Sequence, residues 1–170
     1  MTLIRAELPQ DRLAVYRVHV AAFGGEIEAR LVDLLRERRK SVVSLVAEVE
    51  GEVVGHIMFS LVTLDQMQQG SQWVGLAPVG VLPNFQNRRI GAALINEGLA
   101  ECTRRKYAVV VLLGDPRYYS RFGFMHAADF GLTCEYNEPD AFQVLELKPG
   151  ALVNVRGLVR YAQEFNEAGA

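Results

Sequence analysis

The residue types best suited to chemistry fall in one stretch, Gln86-Asn87-Arg88-Arg89-Ile90-Gly91-Ala92. Downstream of it, Leu94, Ile95, Gly98, Leu99 and Cys102 repeat with the spacing of one helical face, so a helix is expected to start near Ile90 or Gly91. A helix start carries free N–H groups and the positive end of the helix dipole. Arg88 and Arg89 add two guanidinium groups at the same place, a combination that suits a phosphate. Any strand–loop–helix connection has such an end, and its arginines can simply be solvated. The stretch taken alone leaves both readings open.

The element that delivers this loop is a β-rich run, Trp73, Val74, Leu76, Val79, Val81 and Leu82, interrupted by Gly75, Pro78 and Gly80 and closed by Pro83. Proline cannot donate to a ladder and glycine permits close approach, so the run is expected to carry a bulge. After the helix of residues 92–105, Ala108 to Leu113 is a continuous apolar run, as in a strand buried on both faces. A strand, a helix and a second buried strand form one right-handed parallel crossover. If the first strand is bulged and the second straight, they should splay at their carboxyl ends, where open α/β sheets bind ligands.

Gln86-x-x-Arg89-x-Gly91 after Val79-Gly80-Val81 resembles the acyl-coenzyme A signature of the GNAT acetyltransferases, Gln/Arg-x-x-Gly-x-Gly/Ala. The chain departs from that pattern at Arg89, where the family usually has glycine. The departure matters if the position needs a positive φ, and Arg89 is expected to point outward. Tyr118-Tyr119-Ser120-Arg121-Phe122-Gly123-Phe124 is similar to the family's Phe-Tyr-x-Lys-x-Gly-Phe run. Leu113-Gly114-Asp115-Pro116 ahead of the tyrosine pair looks like the small bacterial YhbS-like group.

The resemblance implies an α/β fold of GNAT type, a mixed, mostly antiparallel central sheet flanked by helices with splayed central strands. It implies acetyl-CoA as co-substrate and no metal. Pantetheine amides would pair with the backbone at Val79, Gly80 and Val81, and the pyrophosphate would meet Gln86, Asn87, Arg88, Arg89, Ile90, Gly91 and Ala92. An amine of an unidentified small molecule or peptide would attack the thioester directly. Tyr119, a phenol protonated at neutral pH, would give its proton to the departing thiolate. Tyr118, Phe122 and Phe124 read more simply as an aromatic cluster at the end of the sheet.

No general base stands out. Glu26 and Glu28 open a helix whose dipole they complement, and His56, on a probable strand, reads as a packed or hydrogen-bonded residue. His19 and His126 carry less signal still. Two other activities stay open: a non-catalytic acyl-CoA sensor, which has no need of Tyr119, and a related transferase with a longer acyl donor or a hydroxyl acceptor. A Gly-x-x-x-x-Gly-Lys-Ser/Thr loop is missing, which disfavours a nucleoside-triphosphate enzyme.

With 170 residues, half of them apolar, the chain is expected to form one domain over 1–170, with a core of about 2–148 and an extension over 149–170. A net charge of −2 provides no general attraction to nucleic acid or an anionic membrane. The start lacks a secretory pattern, and Cys102 and Cys134 lie far apart without metal-ligand spacing, which suggests a reducing cytoplasm. Exposed edge strands could pair two chains as a homodimer.

The remaining elements follow from spacing. Leu3 to Ala6 is a short strand, and Asp11 is placed to N-cap a helix carrying Leu13, Tyr16, Val20 and Phe23, broken by Gly24-Gly25. A second amphipathic helix runs from Ile27 into Arg36, Arg38, Arg39 and Lys40, expected to be a solvated end. Residues 42–49 and 53–64 form a hairpin about Glu50-Gly51-Glu52. Asp115 and Pro116 start a short helix over 117–122 that Gly123 stops. Residues 132–136, 142–147 and 157–161 are further strands.

Overall fold

The chain opens with β1 (Thr2–Ala6), then α1 (Arg12–Phe23) and α2 (Ile27–Glu37), separated where Gly24 adopts φ +73 and its N–H caps Val20 O. The hairpin β2 (Ser41–Val49) and β3 (Glu52–Leu64) follows, then β4 (Trp73–Val81), α3 (Ile90–Arg104) and β5 (Val109–Leu113). The last part holds α4 (Pro116–Tyr119), β6 (Met125–His126), β7 (Leu132–Cys134), β8 (Phe142–Glu146), β9 (Gly157–Arg160) and α5 (Glu164–Ala168). This computed structural model describes residues 1–170, and no helix in it is long and apolar enough to cross a membrane. Contacts divide the chain into two compact units, and β3 and β4 each contribute to both.

The first unit comprises Met1–Ser60, Ala77–Glu101 and Gln163–Ala170. Its strands β1, β2 and β3 are antiparallel, with Val46 opposite His56, Leu45 opposite Ile57 and Ala47 opposite Gly55. Strand alternation sends Gly55, Ile57 and Phe59 to one face and His56 to the other. On the first face α3 lies close: a Cβ on Gly98 would come within 2.5 Å of the Phe59 ring, and one on Gly55 within 3.0 Å of Leu94. On the second face α1 approaches β4, where a Cβ on Gly80 would lie 3.0 Å from His19 Nδ1 and 3.3 Å from Ala22. Val18, Leu35, Val46, Ile57, Phe59 and Leu94 make the core.

The second unit comprises Leu61–Leu76 and Cys102–Ala162. Here β4 runs parallel to β5 with Trp73 opposite Val109, Val74 opposite Val110 and Gly75 opposite Val111, and the register stops there. On its other edge β5 pairs antiparallel with β8 along its whole length, and β8 also holds β6. A parallel pair, β7 with β9, joins the end of β3 through Thr63 and Leu64. As expected of a continuous apolar run, Val109 to Leu112 are at most 1% exposed.

Three local readings need correction. Asp11 occupies the position before α1 but does not cap it. Its carboxylate accepts from the Leu8 N–H at 2.7 Å and from the Arg5 guanidinium at 2.7 and 3.0 Å, and the guanidinium holds it below the usual carboxylate range. Arg36 is not a solvated helix end: at 13% side-chain exposure it donates to Asp33 at 2.6 Å and to Glu7. Arg38 pairs with Glu167 at 2.7 Å and lies 3.5 Å from the buried Glu164, tying α2 to the final helix.

Candidate active site

The loop after β4 is closed by its own side chains. Leu82 N–H donates to Val54 O at 2.8 Å, a 3-10 turn spans Pro83–Phe85, and the Gln86 side-chain amide donates back to Val81 O at 3.0 Å. Asn87 and Arg89 take φ +61 and +65, and the Arg88 guanidinium lies 5.1 Å above the Phe85 ring. Alternating left-handed residues turn successive N–H groups into a concavity that attracts anions. Ala93 N–H donates to Arg89 O at 3.0 Å, the first bond of α3, so the amides of Ile90, Gly91 and Ala92 have no helical acceptor. Ile90 is 4% exposed and pins the helix start, while Asn87, Arg88 and Arg89 are exposed. Three amide donors, a helix of 15 residues and two guanidinium groups fit a diphosphate.

Arg89 answers the question its departure from the family pattern raised. The position does take a positive φ, at a cost of about 1–2 kcal/mol for a residue with a Cβ, and the side chain is exposed as expected.

Along β4, Val79 and Val81 are half-buried while Pro78 and Gly80 are buried, the alternation of a strand with two different faces. Gly80 is glycine because α1 presses His19 and Ala22 against it. The residues from Val79 to Ala92 lie together in the first unit. Tyr119 belongs to the second.

At the start of α4 the Asp115 carboxylate accepts from Arg117 N–H at 2.9 Å, Pro116 takes the first helical position, and a 3-10 turn carries the chain to Gly123 at φ +93. The Tyr119 ring covers Gly114, where a Cβ would lie 2.5 Å from it, and meets Tyr118 at 4.9 Å and Phe124 at 6.0 Å. Burial, then the neighbouring Tyr118, pushes its phenol up to about 12. Tyr119 is therefore a member of the aromatic cluster whose phenol stays protonated at neutral pH.

Sequence spacing missed a buried polar chain in the first unit. His19 Nε2 lies 2.7 Å from His56 Nδ1, and His56 Nε2 lies 2.8 Å from Ser44 Oγ. Ser44 Oγ donates to Glu7 Oε2 at 2.5 Å, and Arg36 donates to the other Glu7 oxygen. Both imidazoles are fully buried. Desolvation, and next for His56 the neighbouring His19, lowers their pKa values, that of His19 to about 4, with Arg36 adding to both. Glu26, by contrast, is exposed ahead of α2 and makes no cap with its side chain.

The family model "Acetyltransferase (GNAT) family" matches residues 12–124, from α1 through the aromatic run. The chain belongs to the GNAT acetyltransferases. YhbS of Escherichia coli strain K12, described as an uncharacterised N-acetyltransferase, is 41% identical over 166 residues, covering 96% of this chain and 98% of its own. The crystal structure of E. coli YhbS in complex with CoA superposes with a TM-score of 0.89 at 40% identity, covering 97% of this chain and 92% of that one. A GNAT acetyltransferase from Brucella melitensis in complex with acetyl-CoA gives 0.81 at 38% identity, covering 97% and 98%. With these GNAT relatives the chain shares a mixed α/β fold, a mostly antiparallel open sheet flanked by helices.

Proposed function

We propose that this GNAT protein acts over residues 1–170 as one N-acetyltransferase domain, moving acetyl from acetyl-CoA to a primary amine of a small molecule or peptide in the cytoplasm. The observation that carries the reading is the start of α3: three open amides behind two left-handed residues, with Arg88 and Arg89 exposed beside them. Relatives of near-identical length and fold bind CoA and acetyl-CoA, which supports the same ligand here.

In this reading the amides of Ile90, Gly91 and Ala92, with Gln86, Asn87, Arg88 and Arg89, hold the pyrophosphate. The register with β5 ends at Gly75, which leaves the backbone of Val79, Gly80 and Val81 to pair with the pantetheine amides as an added strand would. Acetyl-CoA supplies the activated acetyl group. Tyr119 holds its proton throughout the neutral range and gives it to the thiolate as the C–S bond breaks.

Isothermal titration with acetyl-CoA, followed by thiol release with amines, polyamines, amino acids and peptides, tests the proposal. Saturable binding and thiol release with at least one amine is expected. Undetectable binding at millimolar acetyl-CoA would end it, and binding without turnover would leave a sensor.

A further inference from the structure

Gly114 follows β5 directly and carries the Tyr119 ring, and the two roles conflict. Only glycine fits, because a Cβ would lie 2.5 Å from the ring, yet glycine gives the turn into α4 the freest backbone of any residue. Both polar groups of Gly114 are tied instead. Its N–H donates to Ala141 O at 3.0 Å, and its carbonyl accepts from Gln143 Nε2 at 3.0 Å. Gln143 Nε2 also donates to Ala141 O at 3.2 Å. Two carbonyl acceptors at one end of the side chain fix that end as the amide nitrogen.

Gln143 is 1% exposed on β8, opposite Leu112 of β5. Cross-strand partners share a sheet face, and a Cβ on Gly114 would point to the same face, 3.4 Å from the Leu112 side chain. The glutamine therefore reaches Gly114 from the side on which the Tyr119 ring lies. Its neighbours along β8, Phe142 and Val144, are apolar and buried. A buried amide among them lowers stability unless its hydrogen bonds are made, and packing alone would be served by an apolar side chain.

We infer that Gln143 is a positioning residue for the transfer, a latch that acts through Gly114 to hold Tyr119 where it donates its proton. The inference rests on the acetyltransferase reading and on Tyr119 as its acid. Burial and Tyr118, rather than a hydrogen bond, push the Tyr119 phenol up, so the seat of the ring decides where the hydroxyl stands. The link from that seat is short and stiff. Asp115 O accepts from the N–H groups of Tyr118 and Tyr119 at 3.0 and 3.1 Å, so a rotation of the Gly114 peptide is carried through α4 to the ring. Without the latch the Gly114 carbonyl is free to turn, and a displacement of about 1 Å in a reacting group can cost up to about 10²-fold in rate.

Gln143→Met keeps the length of the side chain and removes the donor, while Gln143→Glu keeps its shape and sets a carboxylate against two carbonyl oxygens. With the amine giving the highest wild-type thiol release at pH 8, each should lower kcat by about 10-fold, less than the 10²-fold expected of Tyr119→Phe, because the acid is displaced and not removed. Acetyl-CoA affinity by titration should not change. In a Tyr119→Phe background the same substitutions should cost less than about 2-fold more, since the latch then has no hydroxyl to position. Lost packing would instead multiply the two effects. In the wild type both side-chain amide protons of Gln143 should exchange slowly with solvent, and this arm stands even if neither variant folds. Wild-type kcat in both variants, multiplied losses in the double variants, or fast exchange would overturn the latch and leave the transferase reading intact. Wild-type kcat in Tyr119→Phe would remove the acid and the latch together, again without touching the transferase. A wild type that binds acetyl-CoA but releases no thiol with any amine would overturn both readings.

Discussion

Tyr119 and Arg89 show how far a single residue can be pressed. Tyr119→Phe keeps the ring against Gly114 and Phe124 and removes only the hydroxyl, so turnover should fall by about 10²-fold while acetyl-CoA titrates as before. Because its phenol is pushed up to about 12, the donor form persists below that pH, and no loss of kcat near pH 10 should be traceable to Tyr119. Arg89→Gly relieves a left-handed residue at the expense of a freer unfolded chain. It should raise stability to urea by up to about 1 kcal/mol and weaken acetyl-CoA binding through the lost cation. Unchanged affinity would separate Arg89 from the ligand. The 86–92 stretch and Tyr119 could be singled out in the sequence because each stands in a contiguous motif. His19 could not, since the chain it joins is assembled from distant segments: antiparallel register, Val46 opposite His56 and Ser44 opposite Met58, brings the β2 and β3 residues together, and Arg36 of α2 joins through Glu7.

Among the elements, α3 carries the most consequence, for its first turn supplies the amides and its body is seated on β3. A methyl at Gly98 would lie 2.5 Å from the buried Phe59 ring, an overlap that costs about 1–3 kcal/mol and outweighs the roughly 1 kcal/mol gain of alanine in a helix. Gly98→Ala should therefore lower stability by about 1 kcal/mol and weaken acetyl-CoA binding by displacing the helix. Gly25→Ala, with nothing within 4 Å, should change stability by no more than about 0.5 kcal/mol. Denaturant titration and calorimetry on both variants check the contrast. Elements with strong period or punctuation were legible: the hairpin about Glu50-Gly51, the helix from Ile90 and the buried run at β5. Those made by backbone pairing alone were not. Two-residue β6 exists because Met125 and His126 meet β8, β7 pairs with distant β9 rather than with β8, and α5 is held by α2 and the Arg38 ion pairs.

At the scale of the molecule, the buried imidazoles tie stability to pH. His19 has a folded value of about 4 against an ordinary 6.5, and burial lowers His56 as well. Between those values the unfolded chain binds more protons than the folded one, so stability rises with pH and is lost as pH falls from about 6.5 toward 4. For His19 alone the full excursion is worth about 3 kcal/mol, a large share of the 5–15 kcal/mol by which domains are usually stable. Asp11, held down by Arg5, acts in the same direction, but its loss begins only near the ordinary carboxylate range, below about 4. The urea midpoint should thus fall steadily from pH 7 to pH 5, before the carboxylates contribute. In His19→Gln, which has no proton to gain there and relieves the mutual effect on His56, the slope should be markedly shallower. A midpoint flat across that interval would mean that the two rings are hydrated or already charged in the folded protein, against the neutral, hydrogen-bonded pair that their burial implies.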